Sequence, residues 1–200
     1  IPSMRRLLEE NPQYEDILFP KTAFDEETKK LQQKTITDTR NAQPLLGIVD
    51  FAIAEYLQSL GIQPDMVAGH SYGEVAALCF AGAFAPENLV SLSRERALAI
   101  LNAIEKDQGK MAAVSNVSGD ELKELLAGET EVWAVNYKST KQTVLAGTSN
   151  GITEFIKKAT EKGIACKEIN VACAFHSPLL AKSKKLYADV LKNVSFKKPK

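Results

Sequence analysis

The chain is poor in the side chains that most often announce chemistry. Its 200 residues hold two histidines, three cysteines and one tryptophan. Two histidines and three scattered cysteines do not form the closely spaced sets that hold zinc, so no metal site is read. Three cysteines are an odd number, which argues against a disulfide framework. Cys79, Cys166 and Cys173 stand in apolar or strand-like contexts and read as reduced, packed thiols of a cytoplasmic protein. Cys173 precedes His176 by three positions, which leaves a reactive role open. Net charge is also lacking, because 25 basic residues cancel 25 acidic ones. That excludes the basic footprint of a dedicated nucleic-acid binder. No apolar run approaches the roughly 18 residues that suggest a membrane span. No signal peptide opens the chain. It starts at Ile1 and ends on Lys200 in a polar tail, and the expectation is a segment of a larger polypeptide.

What the chain does have is apolar mass, at 44 % of residues, enough for a real core. Residues 1–40 read as short helices and polar connections, with a solvated helix or loop over 25–39. Gln43 and Pro44 open a strongly apolar helix, with Pro44 suited to its first turn. Leu45, Leu46, Ile48, Val49, Phe51, Ile53, Tyr56, Leu57 and Leu60 cover most of its circumference, so burial on all sides is expected. Residues 64–68 read as a short strand, 72–81 as a helix, and 86–104 as another.

The texture changes after residue 107. Strands are expected over 110–114, 132–135, 142–146 and 166–173, with helices over 121–126 and 152–162. The order is βαββαβ, a ferredoxin-like arrangement. The expected fold is α/β. A large α/β-hydrolase-like subdomain (1–106 and 174–200) carries an inserted ferredoxin-like small subdomain (107–173). Ser177 and Pro178 suit the start of a final helix. Seven lysines from Lys182 to Lys200 face one acid, Asp189. They read as a solvated face or as a docking patch for an acidic partner.

One stretch concentrates the chemistry. Gly69-His70-Ser71-Tyr72-Gly73 spells G-x-S-x-G between the expected strand and the expected helix, the context in which that motif makes a nucleophile elbow. The glycines permit a sharp turn without Cβ clashes. Backbone N–H groups at the helix start favour the negative charge of an attacked carbonyl oxygen. A serine in a plain tight turn is the other reading. A nucleophilic serine needs a base. His70 is its neighbour at the elbow and points elsewhere, which leaves His176. That residue lies in Ala174-Phe175-His176-Ser177-Pro178, where a strand meets a capped helix. On the helix over 88–104, Arg96 shares its stripe with Leu89, Leu92, Ile100 and Ala103, and Arg94 lies nearer the edge. A buried arginine needs an anion or full hydrogen bonding. Capture of an acidic substrate and an internal ion pair are both open.

These residues resemble a known family. Gly69-His70-Ser71-Tyr72-Gly73-Glu74 is similar to the GHSxGE signature of malonyl-CoA:acyl-carrier-protein acyltransferases. Residues 174–178 resemble that family's second motif, and Gln43-Pro44 its upstream helix start. Arg96 follows Ser71 by 25 residues, where the family's carboxylate-binding arginine stands. Asn136, Gln142 and Gly147 resemble its N-x-P-x-Q-x-V-x-S-G stretch. The surroundings look most like acyltransferase domains of polyketide and polyunsaturated-fatty-acid synthases.

The resemblance implies roles. Ser71 is the nucleophile and His176 its base. The Tyr72 backbone N–H is one oxyanion donor. Arg96 holds the malonyl carboxylate, with His70, Phe175 and Asn136 lining the substrate. Phe175 resembles the malonyl-selecting version of its motif. No bound cofactor is implied. Malonyl-CoA is a substrate, and the acceptor is the phosphopantetheine of an acyl carrier protein. Other domains of a larger synthase are the remaining partners, with no nucleic acid or membrane.

The family's Gly-Gln-Gly strand, source of the second oxyanion donor, is not in this sequence, nor is a late glutamine that orients the histidine. Loss of one such donor costs roughly 100- to 1000-fold in rate, so the chain alone is expected to be slow. Arg96-Ala97 and Ile100 depart mildly from the family pattern and keep Arg94 as an alternative. A serine hydrolase or editing thioesterase, and a structural or docking role, are the rival functions.

Overall fold

The computed structural model describes residues 1–199. Lys200, last of the seven lysines, lies outside them. The chain divides into two compact units, Ile1–Ala99 with Leu186–Lys200, and Ile100–Lys185.

The first unit is helical. It contains α1 (Pro2–Glu9), α2 (Glu15–Leu18), α3 (Glu26–Thr37), α4 (Thr39–Ser59), α5 (Gly73–Phe80) and most of α6 (Leu89–Leu101). Asp25 starts α3 by accepting from the Thr28 N–H at 2.6 Å, which satisfies a donor the helix leaves open. Asp38 does the same for α4 through Arg40 N–H at 2.9 Å. The cap at Asp38 therefore begins α4 well before Pro44, which sits inside the helix rather than in its first turn. A proline there removes one intrahelical hydrogen bond.

The core of this unit joins Leu45, Ile48 and Phe51 of α4 to Leu89, Val90 and Leu92 of α6, with Leu7, Leu8 and Tyr14 beside them. Burial of α4 on all sides is not observed. Leu46 is 47 % exposed and Leu60 60 % exposed, and Ile53, Tyr56 and Leu57 are exposed as well. Only one face of α4 meets the α5 and α6 side of the core. The strand expected over 64–68 is also absent, and those residues are irregular and exposed. An extended segment becomes a strand only through a ladder, and among the described residues of this unit there is no strand to pair with it.

The second unit holds the sheet. β1 (Lys110–Ser115), α7 (Gly119–Leu126), β2 (Val132–Ser139), β3 (Gln142–Gly147), α8 (Ser149–Glu161) and β4 (Ala165–Ile169) follow in that order. The strands lie as β2-β3-β1-β4, every neighbour antiparallel. Alternation sorts the side chains of the central strands. Ala112, Val114 and Leu145 join Leu122 of α7 and Ile152, Phe155 and Ala159 of α8. Met111, Val144 and Ala146 belong to a separate cluster with Ala174, against which Leu179 packs. Phe155 is 2 % exposed, and truncating such a side chain to Ala costs about 3–5 kcal/mol.

The local punctuation is strong. Ser118 and Glu121 form a reciprocal capping box at α7. Asp107 accepts from Gly109 N–H at 2.8 Å and from Ser149 N–H and Oγ–H at 2.7 and 2.5 Å, tying the approach to β1 to the start of α8. These bonds hold its carboxyl below the ordinary 3.8. The chain then turns through 170–177 into a short 3-10 helix, Pro178–Leu180, and α9 (Ala181–Leu191). No helix among the described residues is long and apolar enough to cross a membrane.

Candidate active site

Only three non-glycine residues among those described have positive φ: Ser71 at 54°, Asn116 at 61° and His176 at 62°. Such backbone is uncommon for residues with a side chain, and it clusters where function holds the chain in place. Two of the three are the serine and histidine singled out by sequence.

Around Ser71 the turn is built locally. The N–H groups of Gly73, Glu74 and Val75 donate to the carbonyls of His70, Ser71 and Tyr72 at 3.0, 3.2 and 2.9 Å. Those three donors are thereby engaged, and the Tyr72 N–H is the one immediately ahead of them, next to the Ser71 side chain. Gly69 is required by close approach. A Cβ there would stand 2.0 Å from the Gly73 carbonyl carbon and 2.3 Å from the Glu74 nitrogen. Gly73 is different, since a Cβ on it would meet nothing within 4 Å. Steric demand therefore falls on the first glycine of the motif and not on the second, although the motif suggests both.

Ser71 and His70 line a cleft of roughly 640 Å³ with Asp50, Phe51, Ala54 and Val67. Asp50 escaped the sequence reading, although a carboxylate inside the apolar run 44–54 is a usable signal. Burial raises its carboxyl pKa.

The two arginines separate clearly. Arg94 is exposed and Arg96 half-buried. Arg96 Nη1 donates to Gln43 Oε1 at 2.7 Å, and Gln43 Nε2 donates to Thr39 Oγ1 at 2.8 Å. Among the described residues no ion pair involves Arg96, so the internal ion-pair reading is not realised. Burial lowers the Arg96 pKa, while Tyr187, Glu74 and Tyr72 act on it in the opposite direction. Arg96 does not line the Ser71 cleft.

Phe175, His176 and Asn136 belong to the second unit. His176 is exposed and Phe175 half-buried. Ser177, expected to cap the following helix, instead turns its hydroxyl back to the Ala174 carbonyl at 2.7 Å. That bond closes the turn beneath His176. Asn136 lies within β2, opposite Val144 and beside a register shift, and not in a polar turn after a shorter strand. A bulge of this kind re-aims a side chain without ending the ladder. The three thiols are free, and burial pushes Cys79 and Cys173 up to about 12 and Cys166 to about 11. Cys173 is thus a neutral, packed thiol, not an activated nucleophile.

The Acyl transferase domain family model matches residues 3–200. This chain belongs to the acyl transferase domain family. It is 32 % identical over 198 residues to a malonyl CoA-acyl carrier protein transacylase of Bacillus subtilis, covering 96 % of this chain and 48 % of that protein. It is 30 % identical to a polyunsaturated fatty acid synthase of Thraustochytrium, covering 92 % of this chain and 6 % of that one. Among solved structures, the acyl-carrier-protein S-malonyltransferase of Burkholderia pseudomallei superposes with a TM-score of 0.84 at 33 % identity, over all of this chain and 65 % of that one. The chain spans about half the length of the Bacillus transacylase it matches. The α/β class is that of these acyltransferase structures.

Proposed function

We propose that this chain carries the acyl-transfer site of a malonyl-CoA:acyl-carrier-protein transacylase. Ser71 Oγ attacks the thioester carbonyl of malonyl-CoA while His176 takes its proton. The tetrahedral oxyanion is met by the Tyr72 N–H. Collapse of the intermediate breaks the C–S bond, and His176 returns the proton to the departing CoA sulfur. The malonyl ester on Ser71 is then attacked by the phosphopantetheine thiol of an acyl carrier protein, with the same proton traffic reversed. Arg96 binds the malonyl carboxylate, since a guanidinium matches a carboxylate in two parallel hydrogen bonds. His70, Phe175 and Asn136 line the acyl group.

The observation that carries this reading is the left-handed backbone at Ser71 and His176. The half-buried Arg96, with a neutral amide as its hydrogen-bond partner, favours transfer of a charged acyl group over simple hydrolysis. The same proposal places the work in the cytoplasm, within a larger synthase. It also divides the chain into an α/β-hydrolase-like part (1–106, 174–200) and a ferredoxin-like part (107–173).

Intact-mass measurement after incubation with a mixture of malonyl- and acetyl-CoA tests it. The expected result is a malonyl adduct on Ser71, absent in Ser71→Ala, where acyl transfer falls roughly 10⁴- to 10⁶-fold. A malonyl adduct on the Ala variant overturns the nucleophile.

A further inference from the structure

The side chain of Tyr72 has no part in the mechanism above, yet it is buried in the first unit. It is 6 % exposed, and its hydroxyl lies 2.7 Å from Ser93 Oγ. Ser93 is wholly buried, and its single hydroxyl proton goes to the Leu89 carbonyl at 2.6 Å. The Tyr72 hydroxyl is therefore the donor of the shared bond.

Space for that hydroxyl is provided by Gly47 of α4. A Cβ at position 47 would stand 2.2 Å from the Tyr72 oxygen. The next nearest atoms are Ser93 Oγ at 3.3 Å and Leu89 Cγ at 3.4 Å, so the ring carbons of Tyr72 lie no closer than that. The oxygen alone occupies the place a methyl would take.

The arrangement makes two parallel rungs. Gln43 and Gly47 lie one turn apart on α4, and Ser93 and Arg96 lie one turn apart on α6. One rung is Gln43 to Arg96, and the other is Tyr72 seated between Gly47 and Ser93. Tyr72 directly follows the left-handed Ser71 and precedes α5.

We infer that Tyr72 is a positioning residue, whose hydroxyl locks the Ser71 elbow to α6 one turn from Arg96 and so fixes nucleophile and carboxylate clamp relative to each other. This rests on the roles of Ser71 and Arg96 proposed above. A backbone in a sparsely populated region persists only when its surroundings hold it there, and a buried hydroxyl bond with no slack is such a hold. A fixed distance from Ser71 to Arg96 is what separates malonyl from acetyl donors, because only malonyl engages both ends.

The test uses the full-length protein and five variants, read as the ratio of kcat/KM for malonyl-CoA to that for acetyl-CoA. Tyr72→Phe lowers the ratio roughly three- to tenfold, the worth of one buried hydrogen bond. Gly47→Ala lowers it further, because the new methyl displaces the hydroxyl. Gly47→Ala with Tyr72→Phe returns to the Tyr72→Phe level, since the methyl then fits. In an Arg96→Ala background, Tyr72→Phe leaves the ratio unchanged. A harmless Gly47→Ala, a double variant as poor as the product of the singles, or a further fall in the Arg96→Ala background each overturns the inference.

Hydrogen exchange of residues 69–76 gives a readout that needs no substrate. It is faster in Gly47→Ala and restored in the double variant if the hydroxyl seat holds the elbow, and unaltered otherwise. If the unmodified protein is not acylated by malonyl-CoA, the functional reading falls, and exchange alone decides whether the lock exists.

Discussion

Ser71 and His176 share a backbone state and differ in what maintains it. The Ser71 turn has its own local bonds and leans as well on contacts far along the chain. Tyr72 reaches Ser93 on α6, twenty-one residues on, and Gly47 on α4 leaves room for the hydroxyl. The His176 turn is closed from within, by Phe175 N–H to the Cys173 carbonyl at 2.9 Å and Ser177 Oγ to the Ala174 carbonyl at 2.7 Å. It too has longer ties: Ala174 N–H donates to the Gln108 carbonyl at 2.8 Å, Cys173 packs with Ile100 and Ala103, and Ala174 with Met111, Val144 and Ala146. A nucleophile must meet a carbonyl along a narrow trajectory, so its backbone needs rigid support from several directions. A general base needs hydrogen-bond reach and the right proton affinity, and a short local turn serves for that.

Four predictions sharpen or break this contrast. The largest effect is expected at His176. His176→Asn and His176→Ala should both lose roughly 10²- to 10⁴-fold in acyl transfer. Only the Ala variant should also lose stability, because Asn tolerates positive φ and Ala does not. Equal melting points for the two would show that the turn makes no such demand.

Next comes the elbow. Gly69→Ala drives a methyl into backbone and should destabilise the protein by about 3 kcal/mol in chemical denaturation. Gly73→Ala meets nothing and should stay within about 0.5 kcal/mol of the parent. Comparable losses at both positions would remove the close approach as the reason for Gly69.

Third, Arg96→Ala should shift preference from malonyl- toward acetyl-CoA by roughly 10- to 100-fold, the range expected for charge-assisted hydrogen bonds. The exposed Arg94→Ala should leave preference unchanged, and the reverse pattern would move the clamp to Arg94.

The smallest effect concerns Asp107, far from either turn in chemistry. Its carboxyl titrates below 3.8 when folded because Ser149 and Gly109 donate to it. A depressed carboxyl contributes stability above its unfolded pKa and loses it as pH falls through the folded value. The melting point of Asp107→Asn should therefore lie a few degrees below the parent at neutral pH. The gap should close on acidification below 3.8, and a gap independent of pH would contradict the assignment.

Much of this was legible from residue order. The strands expected over 110–114 and 142–146 lie within β1 and β3, and the helix expected over 121–126 lies within α7. Misreadings fell where distance along the chain mattered. Residues 64–68 are apolar enough for a strand but have none to pair with among the described residues. Pro44 looked like a first-turn proline because the cap that starts α4, Asp38, lies six residues earlier in a polar stretch. Asn136 fell beyond the strand expected over 132–135 because a bulge conceals the continuation of β2. Ser93 and Gly47 carried no signal at all, being small residues in apolar helices.

By itself the sequence determined the chemistry on offer: a serine between glycines, a histidine at a second junction, and an arginine on an apolar stripe. Caps, turns and alternation act over a few residues, so they are written in residue order. Tertiary structure alone decided what Arg96 is bonded to, which glycine is required, and what the tyrosine beside Ser71 touches. Each of those depends on which atoms occupy the space next to a side chain: for Gly69 they come from the next turn of chain, and for Tyr72 and Arg96 from helices roughly twenty to fifty residues away.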